Sequence, residues 1–333
     1  MNASKVIKYA VSLAVAGVLM YFSFRGVDWG AFVGGLKDCR WWFIALAMVA
    51  SIAAFFFRSQ RWRILLLPFD PDMEKLTTFN GVNIGYLANF VFPRIGEVVR
   101  CGFVSNRSRR QHHEDPENAV SFDRTLGTVL ASRACDILVV FMLLALLLVC
   151  RWQKFGEFFA KQMWEPFESR FNFSFWWVVA VLAVGLAVAL WAIWYFRDRS
   201  AVCMKVCGFV KGVLLGFESI ARMKNFGGFI FYTVLLWSMY WLMSISVVWA
   251  MPQITGLNWV DAWFICLAGS VAWMVPVPGG FGAYHGIVAL AMTSIYGLSW
   301  DTGILYATLN HEAQAITMVV CGIVSYVVEI MRK

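Results

Sequence analysis

The residues of this chain that could do chemistry are the few polar ones set inside long apolar stretches. After Pro93, the residues Arg94, Glu97 and Arg100 are spaced i, i+3 and i+6, which places them on one face of a helix. Two guanidiniums suit bidentate contact with a phosphate, and Glu97 between them is placed to orient them. A helix start beside them adds partial positive charge. Asn83 and Asn89, just upstream, offer neutral donors and acceptors. The competing reading has the cations at the inner interface, snorkelling to water.

A second run, Pro276-Val277-Pro278-Gly279-Gly280-Phe281-Gly282-Ala283-Tyr284-His285, breaks another apolar stretch. Gly279, Gly280 and Gly282 let backbone approach a neighbour or a ligand closely. His285 is able to gain or lose a proton near neutral pH. Arg133 and Asp136, three apart in an apolar helix, are either a helix-stabilising ion pair or part of a site. Asn310, His311, Glu312 and Gln314 form a polar patch in a late apolar segment, and a carboxylate at membrane depth is a functional candidate. His285 and Glu312 are candidates for proton exchange. The set His112, His113, Glu114 and Asp115 reads as a solvated loop. Eight cysteines include no CxxC pair, and Cys203 and Cys207 have no histidine near them. No metal, cofactor or disulfide is expected. There is no Walker A loop, GxSxG or HExxH motif, so neither ATP-driven pumping nor an enzyme activity is expected.

These residues need elements to hold them, and the composition says which. The chain is 60% hydrophobic and 14% charged, against about 25% charged in soluble domains. Residues 171–196, 225–260 and 262–300 contain no Asp, Glu, Lys or Arg, and a membrane-crossing helix needs about 20 apolar residues. Trp41, Trp42, Trp176, Trp177, Trp259 and Trp300 mark segment ends, as interfacial aromatics do. The expected fold is therefore an all-α integral membrane protein, a single polytopic domain over 1–333. Six crossings are predicted at 6–24, 41–66, 124–150, 174–196, 226–250 and 303–330. Residues 5–24 resemble a signal peptide, but no small-residue cleavage site follows, and an uncleaved first span is expected.

Two further apolar segments, 77–106 and 259–298, are broken by Pro and Gly. Freed backbone groups cannot be satisfied in lipid, so both read as re-entrant helical hairpins buried in protein. With both termini inside, Lys and Arg favour the inner segments by about three to one. Loops 107–123 and 197–225 then face the cytoplasm, and 251–258 the exterior. Residues 200–222 read as an amphipathic helix on the inner surface. Residues 41–150 and 226–331 each run span, hairpin, span with opposite orientation. Such an inverted repeat is a transporter plan that places a site at the midplane. The hairpin tips are expected to meet there. The net charge of +8 is spread through loops and forms no basic domain, which argues against nucleic-acid binding.

The run GYLANFVFPRIGEVVRCGFV, residues 85–104, resembles the first signature of the lysylphosphatidylglycerol synthase transmembrane-region family. That family corresponds to the flippase-like membrane half of the multiple peptide resistance factor. The run VPVPGGFGAYHGIVAL, residues 275–290, is similar to its second signature. The family commonly carries Glu where this chain has His285. The resemblance implies a multi-pass protein of a prokaryotic cytoplasmic membrane that moves an anionic phospholipid or a lipid-linked intermediate between leaflets. Its partners would be membrane phospholipids and a lipid-modifying enzyme. The aminoacyl-transferase domain of some members has no counterpart here, so no lysine transfer is implied. Two alternatives stay open: a non-transporting accessory subunit of an envelope-lipid enzyme, and a small-solute channel.

Overall fold

The structure is a computed structural model that describes residues 3–92, 95–113, 118–152, 218–220 and 223–332, with single positions at 180, 184, 185, 191 and 195. The span expected at 174–196 and most of the surface helix expected at 200–222 lie outside the described residues. Every regular element among the described residues is helical. In chain order they are α1 (Ala3–Phe24), α2 (Trp29–Lys37), α3 (Trp41–Leu66), α4 (Lys75–Val91), α5 (Gly96–Gln111) and α6 (Phe122–Cys150). There follow α7 (Phe226–Ala250), α8 (Trp259–Ala272), α9 (Ala283–Tyr296) and α10 (Trp300–Met331).

Local chemistry sets the helix starts. Ser121 Oγ accepts from Arg124 N, and Ser299 Oγ from Thr302 N, each satisfying an orphan amide of the first turn. Asn258 and Asp261 cap α8 reciprocally. The α9 helix stops where Gly297 takes a left-handed conformation. Asp28 accepts from Gly30 N and Ala31 N, and so starts α2 inside a stretch expected to be a loop.

Four helices, α3, α6, α7 and α10, are long and apolar enough to cross a membrane. Residues Val11–Phe24 of α1 reach that standard only together with α2, which turns away by 87°. The count among the described residues is thus four or five, against six crossings expected. Outward-facing Leu138, Phe141, Met142, Leu146 and Val149 on α6, and Val320, Ile323, Val324 and Val327 on α10, are exposed apolar residues. A soluble protein rarely leaves such a belt bare; these helices are those of a multi-pass membrane protein.

The broken segments each fold as two short helices. The first is α4 and α5, and the second is α8 and α9 joined through a tight turn at Pro278–Gly280. The two arms of the first pair touch where Gly85 meets Gly96, and a Cβ on Gly96 would collide with the Gly85 carbonyl. The most extensive helix contact is α3 against α7. Around it the contacts pair off: α3–α4 with α7–α8, α4–α5 with α8–α9, α5–α6 with α9–α10, α3–α6 with α7–α10, and α4–α10 with α8–α6. The α3–α10 contact breaks this correspondence. Two apolar cores overlap this division only in part, because the first also takes in Phe32 of α2 and Ile44 and Ala47 of α3. One gathers Ile245, Val248, Ile265, Val288, Met292 and Tyr306. The other gathers Trp62, Leu66, Val82, Val104 and Val129.

Candidate functional site

Two polar clusters lie inside this helical frame. The first is built on α3, α5, α6 and α7. Asp136 on α6 sits between two guanidiniums from α3: Arg61 Nη2 lies 2.7 Å from its Oδ1, and Arg58 Nη1 lies 3.3 Å from its Oδ2. Arg58 also donates from Nε and Nη2 to the Tyr240 hydroxyl on α7, at 3.1 and 2.8 Å. Arg61 Nη2 donates to Ser132 Oγ at 2.9 Å. One turn earlier on α6, Arg133 Nη2 reaches Glu97 Oε1 at 2.9 Å. Arg100, on the same face of α5 as Glu97, lies over the Trp62 ring at 5.1 Å. Trp62 is itself fixed by donating Nε1–H to Thr128 Oγ1 at 2.9 Å.

The charges do not balance. Among the described residues, four guanidiniums, of Arg58, Arg61, Arg100 and Arg133, meet two carboxylates, of Glu97 and Asp136. Arg58, Arg61 and Arg100 are all buried, Arg61 completely. Arg61 Nε and Nη1, and Arg100 Nε, find no hydrogen-bond partner among the described residues. Burying a charge without a partner is costly, so an excess of cation at this depth favours an anion beside it. A small recess, partly open to its surroundings, lies here, lined by Tyr86, Asn89, Gly96, Glu97, Arg100 and Arg133. Its enclosed space is no larger than a single water, so a bound group would sit at its mouth.

The sequence-predicted residues distribute unevenly over this cluster. Glu97, Arg100, Arg133 and Asp136 come together in it. Arg94 lies outside the described residues. Asn89 lines the recess, but its Oδ1 accepts from Gly96 N at 2.7 Å and so closes the start of α5. Asn83 stands apart, buried between α4 and α10, with Nδ2 donating to Ser325 Oγ at 3.2 Å. Arg58, Arg61 and Tyr240 belong to the cluster and were not among the sequence candidates. The expected loop set is split: His112 Nε2 lies 3.1 Å from Asp70 Oδ1, while Glu114 and Asp115 lie outside the described residues.

The second cluster is built on the turn after α8 and on α9 and α10. Gly279, Gly280 and Gly282 all have positive φ, between 57° and 76°, which lets the chain reverse tightly there. The turn aims the Gly279 carbonyl at His311 Nε2, 2.8 Å away. His311 Nδ1 lies 3.0 Å from Glu312 Oε1, and His285 Nε2 lies 3.9 Å from the same oxygen. The His311 ring is stacked on Trp273 and flanked by Phe281, Tyr284 and His285. His285 and His311 are buried; Glu312 is partly exposed.

The hairpin tips were expected to meet each other. Phe90 near the end of α4 does pack edge-on against Phe281, at 5.9 Å between centroids. A Cβ on Gly279 would come within 3.3 Å of Phe90. Gly282, however, is pressed against the Leu19–Met20 backbone of α1, not against the first pair of arms. The α1 helix also holds the turn through Ser23 Oγ, which donates to the Gly282 carbonyl at 3.0 Å. No hydrogen bond or ion pair found among the described residues joins the two polar clusters; Phe90 and Phe281 stand at their boundary.

Neither a curated protein nor a solved structure matches this chain. The sequence profile of the lysylphosphatidylglycerol synthase TM region matches residues 9–322, and no second domain is detected. That match takes in both broken helix pairs and both polar clusters, and the chain therefore belongs to the lysylphosphatidylglycerol synthase TM region family, a membrane family associated with lipid handling.

Proposed function

We propose that this protein moves an anionic phospholipid, or an anionic lipid-linked intermediate, between the leaflets of a prokaryotic cytoplasmic membrane, and that the mouth of the recess beside Arg100 takes the headgroup phosphate. The observation that carries the reading is the surplus of guanidiniums over carboxylates among the described residues, where Arg58, Arg61 and Arg100 are buried and Arg133 is partly exposed. Arg100, which lines the recess and has an unpaired Nε–H, would donate to the phosphate. Glu97 and Asp136 would hold the other guanidiniums in place. The recess is too small for a whole lipid, so the acyl chains would stay in the bilayer while the headgroup passes.

The frame supports such a role. At 1.5 Å per residue, α4 and α5 reach about 25 Å, and α8 and α9 about 21 Å, each short of a roughly 30 Å hydrocarbon core. Their lengths fit re-entrant arms. The paired contacts around α3 and α7 fit two repeats of like architecture in opposite orientation. Both termini would then face the cytoplasm. The reading is one of transport and not of catalysis.

Binding tests it. Purified protein is incubated with short-chain phosphatidylglycerol and, separately, with phosphatidylcholine, and occupancy is followed by native mass spectrometry. Wild type should prefer the anionic lipid. Arg100→Gln should weaken that binding about ten- to a hundred-fold, since a hydrogen bond to a charged group is worth roughly 1.5–3 kcal/mol. Equal affinity of wild type and Arg100→Gln for the anionic lipid would remove the headgroup site.

A further inference from the structure

We propose that His285, His311 and Glu312 form a binding site for one divalent transition-metal ion, with Zn²⁺ the best match to the donor set. Their ligand atoms all lie within 4.8 Å of one another. In a tetrahedral site with bonds of about 2.0–2.1 Å, ligand atoms stand roughly 3.3 Å apart. The 3.0 Å from His311 Nδ1 to Glu312 Oε1 and the 3.9 Å from His285 Nε2 to the same oxygen straddle that value.

The hydrogen-bond chemistry gives a second and independent argument. His311 Nε2 faces the Gly279 carbonyl at 2.8 Å, and a carbonyl can only accept. That nitrogen therefore carries the hydrogen. In the neutral ring Nδ1 is then a lone pair, and it points at a carboxylate oxygen that is also an acceptor. Two acceptors 3.0 Å apart need a cation between them. A proton would serve this pair alone and leave His285 Nε2 at 3.9 Å, beyond hydrogen-bonding distance. One metal ion engages all three groups together.

The surroundings are those of a ligand shell. Metal-bound histidines characteristically donate their second ring N–H to a carbonyl or carboxylate, as His311 does to Gly279. Stacking on Trp273, at 5.4 Å and 19°, fixes the His311 plane. Phe24, Phe281 and Tyr284 shield the imidazoles. Glu312, 39% exposed, leaves one side open for the ion to enter and for a water or substrate oxygen to take the fourth position. The donors are two imidazoles and one carboxylate, which selects borderline metals and not Ca²⁺ or Mg²⁺. The turn that puts the Gly279 carbonyl here requires the positive φ of Gly279, so the site would explain why this glycine run lies against α10. The proposal stands apart from lipid movement and holds or fails without it.

The test uses the full-length protein in detergent, stripped with a chelator and titrated with ZnCl₂ by calorimetry. Co²⁺ serves as a spectroscopic probe of tetrahedral geometry. One ion per chain is expected, with Co²⁺ giving the intense visible bands of a tetrahedral site. His285→Ala should weaken Zn²⁺ binding at least about a hundred-fold. Glu312→Gln, at a half-exposed position that leaves the packing intact, should weaken it about ten- to a hundred-fold. Melting curves of the metal-free variants establish that both are folded. The proposal is overturned if stripped wild type takes up no stoichiometric Zn²⁺, or if the folded Glu312→Gln variant binds it as wild type does.

Discussion

At the scale of residues, Asp136 and Arg100 make the clearest contrast. Asp136 neutralises Arg58 and Arg61 together inside the helix bundle. Among the described residues Arg100 has no carboxylate within ion-pairing distance, and it rests on Trp62. Asp136→Asn should therefore strip two buried guanidiniums of their counter-charge and cost about 3–5 kcal/mol of stability. Thermal unfolding in detergent would read this as a large fall in Tm, with a poor yield of folded protein. A Tm within a degree or two of wild type would mean that the guanidiniums find other partners. Arg58 and Arg61 could not be recognised as site residues in the sequence. They fall at the inner end of a crossing, where hydropathy alone reads them as interfacial charge. Only the packing of α3 against α6 and α7 shows that they face inward. Removing Arg58 and Arg61 from the loop count leaves the inside bias close to three to one, still in the direction that sets orientation.

At the scale of elements, Pro and Gly carried most of the information. The breaks in 77–106 and 259–298 were legible because Pro93, Pro276, Pro278 and the glycines cannot continue a helix. The span bounds 41–66 and 226–250 were legible from hydropathy, the first also from Trp41 and Trp42 at its start. The α2 helix was not, because its nine residues are too few to stand out and its start rests on one side chain, Asp28. The close packing of Gly282 on α1 was also hidden, since it joins residues more than 250 positions apart. A long-range tie of another kind closes α10 onto α4: Arg332 donates to Glu74 Oε2 at 2.6 Å and to Glu329 Oε1 at 2.9 Å, just past the helix end. The Arg332 hydrogen bond holds the Glu74 carboxyl below its usual range. A carboxylate lowered in this way stabilises the fold at any pH above its unfolded value of about 4.3, and that contribution fades as pH falls through the lower folded value. Glu74 is largely solvated, so the tie is worth no more than about 1 kcal/mol. Glu74→Gln should melt slightly below wild type at pH 7, and the gap should close as the pH approaches 3. A gap that persists at low pH would show that the loss has another origin.

At the scale of the whole molecule, two polar clusters sit in a membrane protein whose outer helices face lipid. One is rich in guanidiniums and suited to an anion; the other holds two imidazoles and a carboxylate around a tight glycine turn. A short aromatic contact, Phe90 against Phe281, lies between them. The family could be read from two motifs, because each motif contains the break and the polar residues that follow it. The partnership between the motifs and α3 could not, since nothing in the local pattern of α3 records what packs against it. The most direct measurement is lipid movement itself. Wild type and Arg100→Gln are reconstituted into sealed vesicles carrying a fluorescent phosphatidylglycerol, and arrival in the outer leaflet is followed by quenching with a membrane-impermeant reductant. Wild type should accelerate exchange of the anionic lipid over protein-free vesicles, and Arg100→Gln should lose most of that acceleration while folding and inserting normally. An Arg100→Gln protein that moves the lipid as fast as wild type, or a wild type no faster than bare vesicles, would contradict the account.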